Sequence, residues 1–170
     1  MIELVQRLPR DESVAAISLR PQWATAVTWL GKDVENRSNW PFAYRGPIVI
    51  HASARSPYRE ELQAVLAIAR EGEVSEQLLE LLNPDSYVLE LMPQGAIVAV
   101  ANLSEVFRAD AEIQDDHPAV SSPGADNDAK YWLYFDEVVP VKPTPYKGRV
   151  GFFKVPYTVV AELESFAFSD

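Results

Sequence analysis

The 170-residue sequence contains no cysteine, only two histidines and no long hydrophobic run. Without cysteine, disulfide frameworks, zinc fingers and thiol nucleophiles are excluded, and nothing in the sequence has the ligand spacing of a zinc site. No apolar stretch reaches the ~18–20 residues that span a bilayer, and the N-terminus lacks the basic start and apolar run of a signal peptide. We therefore expect a soluble, cytoplasmic protein that binds no metal or cofactor and contacts no membrane.

Basic residues are a minority, and they are unevenly placed. The formal net charge is −10, yet residues 18–59 hold six basic and two acidic side chains. Residues 60–170 hold seven basic and twenty acidic ones. The basic segment 18–59 fits either a solvated face or a local anion site in a protein whose acidic remainder discourages non-specific binding.

Length and composition indicate one globular domain over residues 1–170. Hydrophobic residues make up 48% of the chain and charged residues 24%, which is ordinary for a domain that buries a core. Apolar runs predict strands over 15–20, 47–52, 95–103, 131–141 and 150–155. Helical spacing and end signals predict helices over 22–30, 58–70, 75–82 and 156–164. Several short strands with separate helices indicate an α+β fold.

Three connecting segments carry further expectations. Pro21 suits the first turn of the helix that follows it, and Gly31 suits the end of that helix. The chain from Asp33 to Arg37 is expected to run extended. The acidic segment 108–130 contains prolines and has little periodicity, so we interpret it as a long mobile loop.

Blocks of sequence along most of the chain resemble an ASCH domain. They read ISLRPQW at 17–23, GKDVENRS at 31–38, YRG at 44–46, IVIHAS at 48–53, GAIVAV at 95–100, YWL at 131–133 and PYKGRVGFF at 145–153. The second block resembles the family signature Gly-x-Lys-x-x-Glu-x-Arg. In this chain Gly31 directly precedes Lys32, and the spacing of Lys32, Glu35 and Arg37 is intact. The resemblance covers roughly residues 14–156.

The resemblance implies a small PUA-like β-barrel with flanking helices, a fold associated with recognition of RNA and modified bases. Some ASCH proteins are hydrolases, either ribonucleases or amidohydrolases that deacylate N4-acylated cytidine. In the amidohydrolases the signature lysine, which Lys32 matches, pairs with a threonine three residues on. Glu35 stands at that threonine position and cannot act as a hydroxyl nucleophile, so the resemblance does not carry this mechanism over.

Lys32, Glu35 and Arg37 form the predicted catalytic centre. Side chains of an extended segment alternate between two faces, which places Asp33, Glu35 and Arg37 on one face. Ionisable groups that converge shift one another's pKa values, and proton transfer uses such shifts. Water-mediated hydrolysis would use Glu35 as base, with Lys32 or Arg37 stabilising the anion. A Glu–Arg pair that only stabilises the rim is the structural alternative.

Aromatic residues interleave with the basic ones, a combination that binds bases and phosphates. Trp40 and Tyr44, next to Arg45, are predicted to be exposed and to stack on a ligand. His51 and Ser53 share a strand face, where His51 fits either a structural hydrogen bond or a titrating role. The predicted ligand-binding residues are Arg20, Trp23, Trp40, Tyr44, Arg45, His51 and Ser53.

Three functions are consistent with these features. The first is an RNA- or nucleotide-recognising domain that hydrolyses its ligand, as a ribonuclease or as an amidohydrolase of a modified nucleoside. The second is a non-catalytic regulatory module that binds RNA or a modified base. The third is a protein-interaction domain that uses its acidic half, around residues 110–116.

The segment Lys147-Gly148-Arg149 fits either a phosphate contact or a turn in which the glycine has a positive φ.

Overall fold

The computed structural model describes residues 3–6, 13–40, 43–71, 92–108 and 113–165, without the side chains of Arg59 and Glu71. The strands in these ranges are β1 (Ser13–Leu19), β2 (Val34–Arg37), β3 (Gly46–Ala52), β4 (Ala96–Arg108), β5 (Tyr131–Pro145) and β6 (Phe152–Pro156). The helices are α1 (Glu3–Gln6), α2 (Pro21–Trp29), α3 (Arg59–Glu71) and α4 (Tyr157–Ala161), with a 3₁₀ helix at Pro118–Ser121. None of the described helices is long and apolar enough to span a bilayer.

The six strands form one mixed sheet in the order β2-β5-β4-β3-β1-β6. β1 and β3 pair in parallel, with Ala15 opposite Ile48 and Leu19 opposite Ala52. The other neighbouring strands are antiparallel. The mixed sheet and its helices confirm the α+β class that the sequence predicts.

Apolar side chains are buried on both faces of the sheet. On one face Ile17 of β1 packs in a cluster with Val27 of α2. On the other face Ala16 packs in a cluster with Leu4 of α1 and Val160 of α4. Because successive strand residues point to opposite faces, β1 contributes to both clusters. This explains why β1 is a nearly continuous apolar run rather than an alternating one.

The end of α2 determines where Lys32 lies. Pro21 is in the first turn of the helix, as predicted. Gly31 has a φ of +71° and ends the helix, also as predicted. The backbone N–H of Lys32 then donates to the carbonyl oxygen of Ala26 at 3.2 Å. Lys32 is thereby held where the helix end meets the start of β2.

Closure of the sheet into a barrel is not confirmed. Among the described residues the sheet ends at β2 on one side and β6 on the other, and no backbone pairing joins these two strands. The sheet nevertheless curls, since Nη2 of Arg37 on β2 donates to the carbonyl oxygen of Ser18 on β1 at 2.9 Å. Register shifts in the β3–β4 and β4–β5 pairs accompany this curvature. A side chain, rather than strand pairing, therefore spans the gap.

Most predicted elements are present with shifted ends. β4 and β5 run past the predicted ends at 103 and 141, because the two strands pair with each other along most of their length. The closing helix α4 is shorter than the predicted 156–164. The helix predicted over 75–82 lies outside the described residues.

Residues 113–130, which we call the strap, are packed against β2 rather than forming the mobile loop that the sequence suggested. Nδ2 of Asn36 donates to the carbonyl oxygen of Gly124 at 2.8 Å, and the N–H of Asp126 donates to Oδ1 of Asn36 at 3.0 Å. Ala119 in the 3₁₀ helix of the strap is fully buried. A few specific contacts hold the strap, and these leave no periodic pattern in the sequence.

Candidate functional site

A cavity of about 390 Å³ opens at the C-terminal end of β1, between α2, β2 and the loops that follow β3 and β5. Its volume lies within the ~300–1,000 Å³ of small-molecule sites. The cavity brings together all three predicted catalytic residues and three of the predicted ligand-binding residues. These six are Arg20, Trp23, Lys32, Glu35, Arg37 and Ser53.

Lys32 is a buried amine at the edge of this cavity. Its side chain is only 1% exposed, and Nζ donates a hydrogen bond to the carbonyl oxygen of Val34. Burial lowers the pKa of Lys32 below its usual value of 10.5, because desolvation disfavours the charged ammonium. The carboxylates of Glu35, Asp33 and Asp126 oppose that shift. Lys32 is therefore an amine with a reduced preference for its charged form.

Glu35 and Arg37 share a face of β2, as the alternation of an extended segment predicts. Oε1 of Glu35 lies 3.2 Å from Nε of Arg37, in an ion pair that lacks the alignment of a hydrogen bond. Both side chains are largely buried. Arg37 also donates to Ser18, so contacts with both β1 and β2 hold its guanidinium in place. The ion pair with Arg37 in turn holds the Glu35 carboxylate in position.

Asp33 does not join Glu35 and Arg37 on their face, contrary to the prediction. It precedes β2 and lines a separate depression of about 340 Å³ with Trp29 and with Tyr134 of β5. The carbonyl oxygen of Asp33 accepts the N–H of Phe135 at 2.8 Å. The strict alternation of β2 begins only at Val34, so it does not extend to Asp33.

Glu61 of α3 is a site residue that the sequence analysis missed. It accepts hydrogen bonds from Arg20 and Gln22, and from Nε1 of Trp23 at 3.0 Å. The Arg20 guanidinium also lies 4.5 Å from the ring centre of Tyr58. One carboxylate thus orients the arginine and the indole of the cavity wall. No local motif links Glu61 to residues some forty positions earlier in the chain, so the sequence holds no signal for it.

Arg55 and Ser53, in the segment after β3, line the cavity. In the described part of the chain Arg55 makes no hydrogen bond or ion pair, and its side chain is exposed. Oγ of Ser53 is buried and has no hydrogen-bond partner there. The N–H of Ser53 donates to the carbonyl oxygen of Leu19 at 2.8 Å, which anchors this segment to β1. Arg55 was counted in the basic segment but not predicted as a site residue.

Trp40, Tyr44 and Arg45 do not line the cavity, so their prediction as a stacking rim is not supported by the geometry. Trp40 is only 5% exposed and packs edge-to-face on Phe152, with 5.7 Å between ring centres. The Tyr44 hydroxyl donates to the carbonyl oxygen of Pro47. Arg45 is exposed and donates to the carbonyl oxygen of Tyr44. Phe152 comes from the far end of the chain, so nothing near Trp40 in the sequence signals its burial.

His51 has the structural role that the sequence left open. Its Nε2 lies 2.9 Å from the carbonyl oxygen of Tyr146, which can only accept, so Nε2 carries the proton. Nδ1 then accepts from the Ser18 hydroxyl at 3.0 Å. Burial lowers the pKa of His51 below 6.5, although the Tyr146 carbonyl opposes the shift. Both ring nitrogens are satisfied in the neutral form, and the ring does not line the cavity.

Cations outnumber carboxylates among the lining residues. Arg20, Lys32, Arg37 and Arg55 face the cavity, against Glu35 and Glu61. In the described ranges no group of three or more histidine, aspartate or glutamate side chains is arranged to hold a metal ion. The arrangement can therefore attract an anion and orient it by hydrogen bonds from arginine.

No family model matches the sequence, and no curated protein sequence matches it. The structure, in contrast, has the fold of an ASCH domain. This confirms, at the level of the fold, the resemblance that the sequence blocks carry.

Among the solved structures that the fold resembles are three from Zymomonas mobilis. The ASCH protein of that organism gives a TM-score of 0.52 at 13% identity, covering 88% of this chain and 95% of the other. Its tyrosine-to-phenylalanine variant gives 0.51 at 12% identity, covering 90% and 100%. Its serine-to-alanine variant gives 0.51 at 13% identity, covering 92% and 100%.

Proposed function

We propose that this domain recognises RNA or a nucleotide, and that the cavity around Lys32, Glu35 and Arg37 is the binding site. The observation that carries the proposal is the gathering of three arginines, the buried amine of Lys32 and an indole in one cavity of a chain whose net charge is −10. Phosphates need cations, and bases need planar faces to stack on. The ASCH fold is consistent with this assignment, but the lining residues are its basis.

The contacts that each cavity side chain can make with a nucleotide depend on the partners it already has. Arg55 has no partner among the described residues, so it can bind a phosphate without losing an existing ion pair. Trp23 is held by Glu61 through its Nε1, and the part of its ring that lines the cavity would contact a base. Arg20 is partly engaged by Glu61 and would make a weaker contact.

The test is calorimetric titration of the four nucleoside monophosphates into the wild-type protein and two matched variants. Arg55→Gln removes the unpaired cavity cation, and Arg45→Gln removes an exposed cation that does not line the cavity. A charge-assisted hydrogen bond contributes ~1.5–3 kcal/mol, so Arg55→Gln should weaken binding about 10–100-fold. Arg45→Gln should leave the affinity unchanged. Absence of binding, or equal losses in the two variants, would contradict the proposal.

Hydrolysis of the bound ligand is a second candidate, favoured by the buried Lys32 next to Glu35. Glu35 would take a proton from a water molecule whose oxygen attacks the ligand, and Lys32 or Arg37 would stabilise the anion that develops. Lys32 can also return a proton to the leaving group, since its lowered pKa favours release of one. Either a phosphodiester or an acyl amide of a modified nucleoside meets these requirements.

Incubation with RNA and with N4-acetylcytidine, followed by chromatography, separates catalysis from binding alone. Glu35→Gln keeps the shape of the side chain and removes the base, so it should abolish product formation while the ligand still binds. The variant, purified in the same way, also controls for contaminating nuclease. Binding by wild type without any product would instead identify a non-catalytic module that reads RNA or a modified base.

A further inference from the structure

The loop that connects β5 to β6, residues 146–151, forms part of the cavity rim. Val150 and Gly151 of this loop line the cavity, and Val150 is 96% exposed. Lys147 and Arg149, on either side of Gly148, are also exposed. The loop therefore places an apolar side chain in the cavity lining and carries two cations within three residues of it along the chain.

The base of this loop is held firmly against the sheet. A Cβ at Gly148 would lie 2.9 Å from Nε2 of His51 and closer still to Cε1 and Nδ1, so the backbone packs directly on the imidazole. His51 in turn donates to the carbonyl oxygen of Tyr146. At the other end of the loop the carbonyl oxygen of Gly151 accepts the N–H of Ser18 at 3.2 Å. A loop whose backbone is fixed at both ends has little backbone conformational entropy left to lose on binding.

The two cations of the loop are available for a ligand. Within the described ranges neither Lys147 nor Arg149 forms a hydrogen bond or an ion pair. Lys142, by comparison, is exposed but paired with Glu164. Unpaired cations at the rim of a cationic cavity extend the positive surface beyond the space that one nucleotide would fill.

We propose that residues 147–150 bind the nucleotide that adjoins the one in the cavity, so that the ligand is an RNA strand rather than a free nucleotide. This inference rests on the proposed function of the cavity. Lys147 and Arg149 neutralise two backbone phosphates, and the apolar surface of Val150 contacts the adjoining ribose or base. The cavity binds one nucleotide, and the loop binds the nucleotide that is attached to it.

The test compares a random-sequence RNA octamer with the four nucleoside monophosphates, using fluorescence anisotropy and competition at 50–200 mM KCl. Lys147→Gln/Arg149→Gln removes the two loop cations. Lys142→Gln/Lys154→Gln removes the same charge from positions that do not line the cavity. Thermal melts of both variants should match wild type, because all four side chains are exposed and the Lys142–Glu164 ion pair that is lost lies at the surface.

Wild type should bind the octamer more tightly than any monophosphate. Single-stranded contacts contribute ~0.7 each to the slope of log affinity against log salt, so the loop variant should have a slope shallower by about 1.4. Across a fourfold change in salt, wild type then loses about sevenfold more octamer affinity than the loop variant. The control variant should keep the wild-type slope, and monophosphate binding should be equal in all three proteins.

The outcomes distinguish the two levels of the proposal. Monophosphate binding without tighter octamer binding would overturn the role of the loop and leave the cavity function standing. An unchanged salt slope in the loop variant would overturn it as well. Failure of both ligands to bind would overturn the cavity function and the loop inference together.

Discussion

The backbone of Gly148 packs directly on the imidazole of His51, so closely that a Cβ at this position would clash with the ring. The φ of Gly148 is not in the left-handed region, so the sequence-based interpretation of this glycine as a turn residue with positive φ is wrong. Glycine is required at this position because only a residue without a side chain lets the backbone approach the His51 imidazole so closely. Since His51 is buried in the sheet, this contact ties the rim of the cavity to the core.

Gly148→Ala should destabilise the protein by about 1–3 kcal/mol, because the added methyl group overpacks the site against His51. In a His51→Ala background the same substitution should cost much less, and chemical denaturation of all four proteins measures the difference as a coupling energy. Gly151→Ala is the matched control: its φ of +73° predicts a strain cost of ~1–2 kcal/mol, which should be the same in both backgrounds. Equal losses for Gly148→Ala in both backgrounds would refute the packing explanation.

His51 predicts a specific dependence of stability on pH. Burial lowers the pKa of His51 in the folded state, whereas the unfolded chain keeps a value near 6.5. The unfolded state therefore binds the proton more readily, and the stabilisation from neutral His51 is complete above pH 6.5 and lost as pH falls through the lowered pKa. The free energy of unfolding of wild type relative to His51→Gln should thus decrease on acidification below pH 6.5. A constant difference between the two proteins would contradict the assignment.

Lys32 is the residue whose substitution separates packing from chemistry. Lys32→Ala should destabilise the protein by ~2–5 kcal/mol, because it leaves a cavity where one of the largest fully buried side chains was. Lys32→Met retains the stem and removes the amine, so its stability should lie within ~1.5 kcal/mol of wild type. Ligand binding or turnover should be lost in both variants. Retained function in the folded Lys32→Met protein would exclude the amine from the site.

The hydrogen bonds between Asn36 and the strap should contribute to the stability of the protein. Asn36→Ala removes the hydrogen bonds to Gly124 and Asp126, which should cost about 1–2 kcal/mol in total at this partly exposed position. The backbone amide of Asp126 should also lose protection against hydrogen exchange. Asn39→Ala, at an exposed asparagine that lies outside these contacts, is the control and should change neither quantity. Unchanged protection of Asp126 in Asn36→Ala would show that the strap is held by other contacts.

Local patterns predicted those parts of the site that belong to one segment. The spacing of Lys32, Glu35 and Arg37, the helix end at Gly31 and the alternation of β2 all act within a few residues, and the structure places these side chains around one cavity. Such features depend on backbone geometry that the sequence specifies directly.

Features that depend on distant partners were not predictable in the same way. Trp40 is buried because Phe152 covers it, and Glu61 belongs to the site because α3 packs beside α2. The strap is held by hydrogen bonds with Asn36 and Trp132 and by the burial of Ala119 against Val34 and Trp132, contacts that form no periodic apolar face. Closure of the sheet was expected from the family resemblance alone, and the described strands do not confirm it.

The four tryptophans provide the most direct test of where a nucleotide binds. Trp23 lines the cavity, Trp29 lines the depression next to Asp33, Trp40 is buried against Phe152, and Trp132 contacts the strap. Each indole N–H gives a separate signal in a ¹⁵N–¹H spectrum, which single Trp→Phe variants would assign.

Titration of nucleoside monophosphates and the RNA octamer into ¹⁵N-labelled protein, followed through these four signals, is therefore the decisive measurement. If the nucleotide binds in the cavity, the Trp23 signal should shift progressively to saturation, while the signals of Trp29 and Trp132 stay in place. A shift at Trp132 or Trp29 with Trp23 unmoved would place the ligand elsewhere and contradict nucleotide binding in the cavity.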